Sequence, residues 1–369
     1  MNYETIRNLL MGKKVVVGMS GGVDSSVAAY LLKEQGYDVF GVTMQIWQDE
    51  ETKQIEENGG CCGLSAVDDA RRVAEVLGIP YYVLNFKKEF KQHVMDYFVE
   101  EYLHGRTPNP CIACNRFVKW ESLLQRSLAL GADYIATGHY ARIDKLENGR
   151  YSLKTSVTAA KDQTYALYNL TQKQLSKTLM PVGEYRKEEI REIAFREGLP
   201  VAHKKDSQEI CFIPDNDYAS FIEKEAGGRV PGCGNFVTKD GIVLGQHKGI
   251  THYTIGQRKG LNLAMGHPVF VTEIRPETDE VVIGENADVF TSELICNRLN
   301  FMAIEDIADT YRALVKIRYS HKGEMATLHR ISEDQIRCVF DAPVRAVTPG
   351  QAVVFYENGY ILGGGTIQK

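Results

Sequence analysis

A chain of 369 residues, 44% apolar and 25% charged, suits a water-soluble protein of two or three domains with at least one substantial core. Its formal net charge of −5 excludes a uniformly basic nucleic-acid binder, so a nucleic-acid partner must meet a segregated basic surface. The eight cysteines, an N-terminus without an export-signal run and the lack of any membrane-length apolar stretch predict reduced thiols in the cytoplasm and no membrane partner.

The first half alternates strand and helix. An apolar run gives a strand over 15–19, and residues 25–35 read as a helix, with Val27, Tyr30, Leu31 and Gln35 at helical spacing before Gly36 stops it. A strand over 39–44 follows. Ser65 with Asp68 forms a capping box opening the next helix, whose Val67, Ala70, Val73, Ala74 and Leu77 make one apolar stripe. Beyond it come a strand over 81–85, helices over 90–104 and 118–130, and a strand over 134–137. Repeated βα units imply an α/β fold, a parallel sheet with helices on both faces and ligands at the carboxyl ends of its strands. After about residue 205 short Gly-rich segments take over, such as 236–243, where Asp240-Gly241 marks a hairpin. From about residue 280, β segments at 281–283, 313–317, 326–328, 336–340, 352–356 and 360–362 suggest a small barrel or sandwich. The expected division is a catalytic α/β domain over 1–205, a small β-rich domain over 206–276 and a C-terminal β-barrel over 277–369.

Between the first strand and its helix lies Gly18-Met19-Ser20-Gly21-Gly22-Val23-Asp24-Ser25. A glycine turn entering a helix leaves backbone N–H groups at the positive end of the helix dipole, which binds phosphate. Ser20, Ser25 and Ser26 add hydroxyl donors. A Walker loop is excluded, because no lysine stands where one would reach a β- or γ-phosphate, and the glycine spacing does not fit a dinucleotide fingerprint. Asp24 beside phosphates makes sense if Mg²⁺ lies between them. The plain alternative is an ordinary βα turn. The segment resembles the pyrophosphatase loop of the ATP-pyrophosphatase superfamily, whose members cleave ATP to AMP and pyrophosphate; the loop alone does not choose among them.

Two cysteine settings stand out. Thr107-Pro108-Asn109-Pro110-Cys111-Ile112-Ala113-Cys114 is a proline-stiffened loop that puts Cys114 near a helix N-terminus and near Arg116 and Lys119, both of which favour thiolate. Cys211 lies in Asp206-Ser207-Gln208-Glu209-Ile210-Cys211-Phe212-Ile213, where the α/β part gives way to the β part. Cys61, Cys62, Cys233, Cys296 and Cys338 read as buried small hydrophobes.

With these segments the resemblance extends over essentially the whole chain. The loop is followed in order by Gly105-Arg106-Thr107-Pro108-Asn109-Pro110, Ala136-Thr137-Gly138-His139-Tyr140, Lys161-Asp162-Gln163, Lys205-Asp206-Ser207 and Ile210-Cys211-Phe212-Ile213. Thr254-Ile255-Gly256-Gln257-Arg258-Lys259-Gly260-Leu261 and Thr348-Pro349-Gly350-Gln351 complete the set. The chain resembles the bacterial tRNA-specific 2-thiouridylases, which replace O2 of the wobble uridine with sulfur. The resemblance implies an ATP-pyrophosphatase (adenine nucleotide alpha hydrolase-like) domain followed by two β-rich domains. It implies that Gly18–Ser25 holds the phosphates of ATP, with Mg²⁺ and Asp24, while Met44 and Gly138 border the adenine. Cys211 would carry sulfur as a persulfide supplied by a donor protein, a cysteine desulfurase or a persulfide relay. Cys114 would resolve it, leaving a Cys114–Cys211 disulfide to be reduced, or would release hydrosulfide first; the sequence leaves that order open. Asn109, Pro110 and Cys111 would border the flipped-out base of the anticodon loop. His139, Lys161, Asp162, Gln163, Arg318, Tyr319 and Gln351 would touch the tRNA, and His139 as a satisfied core histidine is the other reading.

One departure stands out: the family's Asn-Pro-Asp-x-x-Cys carries Cys111 at the aspartate position. Cys111, Cys114 and Cys211 would suffice for a [4Fe–4S] cluster with one open iron, and an extra thiol backing up the redox pair is the alternative. Arg312, Lys316, Arg318, Lys322 and Arg330, with His321 and His329, supply a basic stretch whose residues alternate with apolar ones along 312–319. Two competing readings remain: a small-molecule amidating or ligating synthetase on the same loop, and a non-catalytic RNA-binding protein with ATP as a structural ligand.

Overall fold

The computed structural model describes residues 10–46, 64–206, 210–213 and 215–368. Cys61, Cys62 and Ser207 lie outside the described residues. The chain divides into two compact units: Met1–Val94, Cys111–Asn216 and Gly359–Ile361 form one, and Met95–Pro110, Asp217–Asn358 and Leu362–Lys369 the other.

In the first unit β1 (Lys14–Gly18), β2 (Asp38–Gln45), β3 (Tyr81–Asn85), β4 (Tyr134–Ala136), the hairpin β5 (Ala141–Lys145) and β6 (Tyr151–Thr155), and β7 (Thr178–Leu179) follow one another. Five of these form a parallel sheet in the order β3-β2-β1-β4-β7, with Val16 between Phe40 and Ile135. Val15, Val16 and Val17 are all buried, the unbroken apolar run that a central strand needs when both faces are covered. Val27, Ala28 and Leu31 of α1 (Val23–Glu34), Ala70 and Val73 of α2 (Leu64–Leu77), and Ile190 and Ile193 of α3 (Lys187–Arg196) join Val15 and Val17 in one core. Each buried valine, leucine or isoleucine among them contributes about 1.5–3 kcal/mol. Ser65 falls inside α2 rather than capping it. From β1 the chain runs outward through β2 and β3, then returns to the other side of β1 as β4. The strand order therefore reverses between β1 and β4, and the crevice at their carboxyl ends is where such sheets bind ligands.

The helix expected over 118–130 starts at Pro110, whose fixed φ suits a first helical position. An α-helical turn Pro110–Ala113 leads into a π-helical stretch Cys114–Leu123 and an α-helical end Leu124–Ala129. The helix expected over 90–104 likewise carries a π-helical turn, Lys91–Met95.

In the second unit β8 (Gly234–Val237), β9 (Val243–His247), β10 (Phe270–Arg275) and β11 (Glu280–Gly284) form a sheet in the order β10-β11-β8-β9, over a core of Phe236, Tyr253, Val271 and Val281. The expected break at 276/277 falls between β10 and β11, which pair antiparallel, so residues 281–283 belong to this sheet and not to the barrel. β12 (Phe290–Phe301), β13 (Thr310–Lys316), β14 (Glu324–Ser332), β15 (Gln335–Arg345), β16 (Ala352–Glu357) and β17 (Tyr360–Ile367) run in the order β12-β15-β14-β13-β16-β17. Pairing of β12 with β17 closes them into a six-stranded barrel. Among the described residues no helix is long and apolar enough to cross a membrane.

Candidate functional site

The turn after β1 is pinned at its start. The Met19 N–H donates to the Val42 carbonyl (2.8 Å), and the Thr43 hydroxyl donates to the Met19 carbonyl (2.7 Å). Gly21 has φ +66°, and a Cβ there would stand 2.4 Å from the Ala66 carbonyl oxygen, so only glycine fits. Gly22 precedes α1 without a side-chain cap, so no side chain occupies the acceptor position at the positive end of that helix. Met19 and Val23 are buried and offer the loop only backbone, while Met44 is half-buried near the end of β2.

The serines depart from expectation. Ser26 is fully buried and its hydroxyl donates to the Gly22 carbonyl (2.8 Å). The Ser25 hydroxyl accepts the Ser20 N–H (3.2 Å) and donates to the Gly22 carbonyl (3.3 Å). Both hold the turn in shape, and of the three only Ser20 is exposed. From the end of β4, Gly138 closes on this turn: a Cβ there would stand 2.5 Å from the Ser25 nitrogen and 2.6 Å from the Asp24 carbonyl carbon.

Asp24 is held by one cation and one hydroxyl. Lys187 Nζ donates to both its oxygens (2.7 and 2.9 Å), and the Tyr140 hydroxyl donates to Oδ1 (2.8 Å). The same Lys187 Nζ lies 2.8 Å from Asp206, which Lys161 (2.8 Å) and Arg191 (2.9 Å) also engage. Burial alone would raise the Asp206 pKa, but hydrogen bonds from Lys161 and Lys187 and their charges outweigh it and hold the carboxyl at about 2. Burial, then the Asp24 charge and hydrogen bond, drive the Tyr140 hydroxyl far above its ordinary value, so it remains a donor. The sequence reading missed Lys187 and Arg191. One signal was available for Lys187: it opens α3, where the helix dipole disfavours a cation.

The Lys161-Asp162-Gln163 segment, expected at the tRNA, is tied inward. Gln163 accepts the Tyr140 N–H through Oε1 (2.8 Å), and Asp162 accepts the Ser156 N–H (3.0 Å) and the Thr164 hydroxyl (2.7 Å). His139 shares a 2.8 Å hydrogen bond with Thr137 Oγ1, and its ring lies 5.5 Å from that of Trp120. Desolvation, with the Lys119 charge second, drives its pKa well below the ordinary value, so the imidazole is neutral.

Cys111 is exposed in the first turn of its helix, Cys114 and Cys211 are half-buried, and none of the three is in a disulfide. Lys119 reaches Asn115 Oδ1 (2.9 Å), and Arg116 lies over the Phe117 ring. Asn115 is buried and donates to the Ala166 carbonyl (2.9 Å), and Trp120 Nε1 donates to Thr178 (2.8 Å). Each cysteine segment has an aromatic residue packed on the same helical run. Phe117, just after Cys114, stacks on His93 at 5.1 Å, and Phe212, next to Cys211, packs on Phe90 at 5.6 Å. Phe90 ends an α-helical turn and His93 lies in the π-helical turn that continues it. Among the described residues no three His, Cys, Asp or Glu side chains gather as a metal site requires. Cys111, Cys114 and Cys211 therefore form no prepared cluster set, and Asp24, bound by Lys187 and Tyr140, is no open ligand for Mg²⁺. Cys296 and Cys338 are buried as expected, but Cys233 is exposed.

In the second unit three of the singled-out motifs meet. Gln351 Nε2 donates to the Thr107 (2.8 Å) and Pro108 (3.3 Å) carbonyls, the Thr107 N–H donates to the Pro349 carbonyl (2.9 Å), and the Thr107 and Thr254 hydroxyls lie 3.2 Å apart. Gln351 thus braces the loop carrying Asn109 and Pro110. The basic stretch is less one-sided than its sequence: Arg312 forms a bidentate pair with Asp341 (2.6 and 2.7 Å) and Arg330 pairs with Asp306. Arg318 donates to the Arg345 carbonyl (2.7 Å), while Tyr319 and Lys322 are exposed.

Comparison with known proteins completes the description. A family model described as "tRNA methyl transferase HUP domain" matches residues 13–215, "tRNA methyl transferase PRC-barrel domain" matches 219–285, and "Aminomethyltransferase beta-barrel domain" matches 291–367. The chain is 70% identical over 357 residues to the tRNA-specific 2-thiouridylase MnmA of Lachnoclostridium phytofermentans, covering 97% of this chain and 100% of that one. It is 56% identical to the protein of that name from Clostridioides difficile, covering 98% and 99% of the two chains. To that from Clostridium perfringens it is 58% identical, covering 97% and 99%.

Proposed function

Because the chain belongs to the tRNA-specific 2-thiouridylase family, we propose that it converts the wobble uridine of a tRNA to 2-thiouridine, consuming ATP and releasing AMP and pyrophosphate. A uracil carbonyl oxygen leaves poorly, so it must first be activated. O2 attacks the α-phosphorus of ATP, pyrophosphate departs, and the base carries AMP on oxygen. The glycine turn and the first N–H groups of α1 hold the phosphates as backbone donors. The terminal sulfur of a Cys211 persulfide then attacks C2 and AMP leaves with the oxygen. The Cys114 thiolate attacks the inner, Cys211 sulfur of the S–S bond; the outer sulfur keeps the bonding pair and stays on the base, and a Cys114–Cys211 disulfide remains for an external reductant.

What supports this reading is that Phe117, three residues after Cys114, and Phe212, next to Cys211, pack on His93 and Phe90 of one helical run in the first unit. The family models carry the words methyl transferase, but methyl transfer requires no such pair of thiols. Nucleoside mass spectrometry of tRNA incubated with the protein, ATP and a persulfide donor tests the proposal. 2-Thiouridine is expected with the wild type and not with Cys114→Ser or Cys211→Ser at unchanged tRNA affinity. Full activity in either variant refutes the two-cysteine relay, and AMP formation without RNA points to a small-molecule synthetase.

A further inference from the structure

We infer that Lys187 is a positioning residue that couples the phosphate loop to the segment bearing Cys211. The inference rests on the reading of that loop as the nucleotide site. Lys187 is nearly buried, with 8% of its side chain exposed, and its ammonium is shared between Asp24 in the first turn of α1 and Asp206. Asp206 stands five residues before Cys211, a separation that an extended chain spans in at most about 18 Å.

Neither carboxylate depends on Lys187 alone to stay ionised. Asp24 lies at the start of α1, where the helix dipole already favours an anion, and Tyr140 also donates to it. Asp206 keeps Lys161 and Arg191. Lys187 sits where a cation is disfavoured twice, by burial and by the N-terminus of its own helix. Lys187 also links the two, because its one nitrogen touches both. Both carboxylates touch one nitrogen, so they lie within the roughly 4–6 Å over which like charges strongly perturb one another. Anionic phosphates arriving at the α1 N-terminus draw the ammonium toward the loop, and its hold on Asp206 changes accordingly. Loop occupancy is thereby felt at Asp206, five residues before Cys211 in the sequence.

The readout is alkylation of Cys211 by iodoacetamide, followed by peptide mass spectrometry with and without α,β-methylene-ATP, alongside titration of the same analogue binding to the same samples. In the wild type the analogue is expected to change the alkylation rate by about fivefold or more, the lower end of typical site–site coupling. Asp206→Asn is expected to bind the analogue yet respond by less than about twofold, and Lys187→Met, which also leaves the Asp24 charge without its ammonium, is expected to bind it more weakly and to respond by less than about twofold at saturation. Asp206→Asn leaves the Lys187–Asp24 contact in place, so it decides the matter even if Lys187→Met does not fold. A wild-type-like response in Asp206→Asn overturns the coupling, as does a wild type that binds the analogue without any change at Cys211. A wild type that does not bind the analogue overturns the underlying reading of the loop instead.

Discussion

Gly138→Ala is the sharpest probe of the site. The added methyl carbon would lie 2.5 Å from the Ser25 nitrogen, 2.6 Å from the Asp24 carbonyl carbon and 2.9 Å from the Ser25 Cα. Comfortable contact requires about 3.5–4.0 Å, so the ends of β4 and α1 must part by roughly 1 Å. All three atoms are backbone, and no side-chain rotation relieves the clash. Overpacking of this kind costs about 1–3 kcal/mol, which lowers the melting temperature by roughly 4–8 °C for a loss of about 2 kcal/mol. The displaced element is the turn proposed to hold the phosphates, and a misplacement of about 1 Å costs on the order of 100-fold in rate. Calorimetry and tRNA-dependent pyrophosphate release measure the two effects. Gly232→Ala, with nothing within 4 Å of its new methyl group, is the control. A Gly138→Ala protein with wild-type melting and only a raised KM for ATP would refute the packing argument and return Gly138 to a simple adenine-bordering role.

Three further outcomes follow. The Asp206 pKa is depressed to about 2 in the fold, so its contribution is complete above about pH 4 and is lost as pH falls toward about 2; the shift corresponds to roughly 2 kcal/mol. Urea unfolding should show the stability gap between wild type and Asp206→Asn narrowing by that amount between about pH 5 and pH 2, and a pH-independent gap contradicts the charge network. Gln351→Ala strands the Thr107 and Pro108 carbonyls and should lower stability by about 1–2 kcal/mol, with faster proteolysis at residues 105–110; no change in either shows that the loop is held by other contacts. Cys111→Asp restores the residue usual in the family at an exposed position, so stability should move by less than about 0.5 kcal/mol and thiolation should persist. Its loss would transfer the role of Cys114 to Cys111.

Periodicity made the α/β half legible. The strand ranges over 15–19, 39–44, 81–85 and 134–137 agree with β1 to β4 within a residue or so, because buried parallel strands read as short apolar runs between glycines and polar turns. Helix starts were less visible. Helical spacing begins at Val118, but the backbone coils from Pro110 through a π-helical stretch, and widened turns leave no 3.6-residue signature. The β-rich half betrayed its strands but not their partners: residues 281–283 read as β correctly, yet nothing local tells a strand which sheet it joins.

The same contrast governs the site. The glycine turn was legible because backbone geometry restricts residue type at each position, and Gly21 and Gly138 are both forced by approaches under 3 Å. Charge is different. The expected anion donors Ser25 and Ser26 face inward, and Asp24, read as a partner for Mg²⁺, is bound by a lysine 163 residues away in sequence. Arg312 and Arg330 looked like free positive charge until Asp341 and Asp306 approached from elsewhere in the barrel unit. A carboxylate in a phosphate-binding turn repels its own ligand unless something neutralises it. Placing a buried ammonium against Asp24 removes that repulsion at contact distance, where the local dielectric makes charge pairs strong. The three cations and two carboxylates of the Lys161, Lys187, Arg191, Asp24 and Asp206 cluster then leave one net positive charge beside the turn. That charge suits the proposed phosphate site, although the loop itself contains an acid and no base, and the cation against Asp24 is supplied by the helix that opens at Lys187.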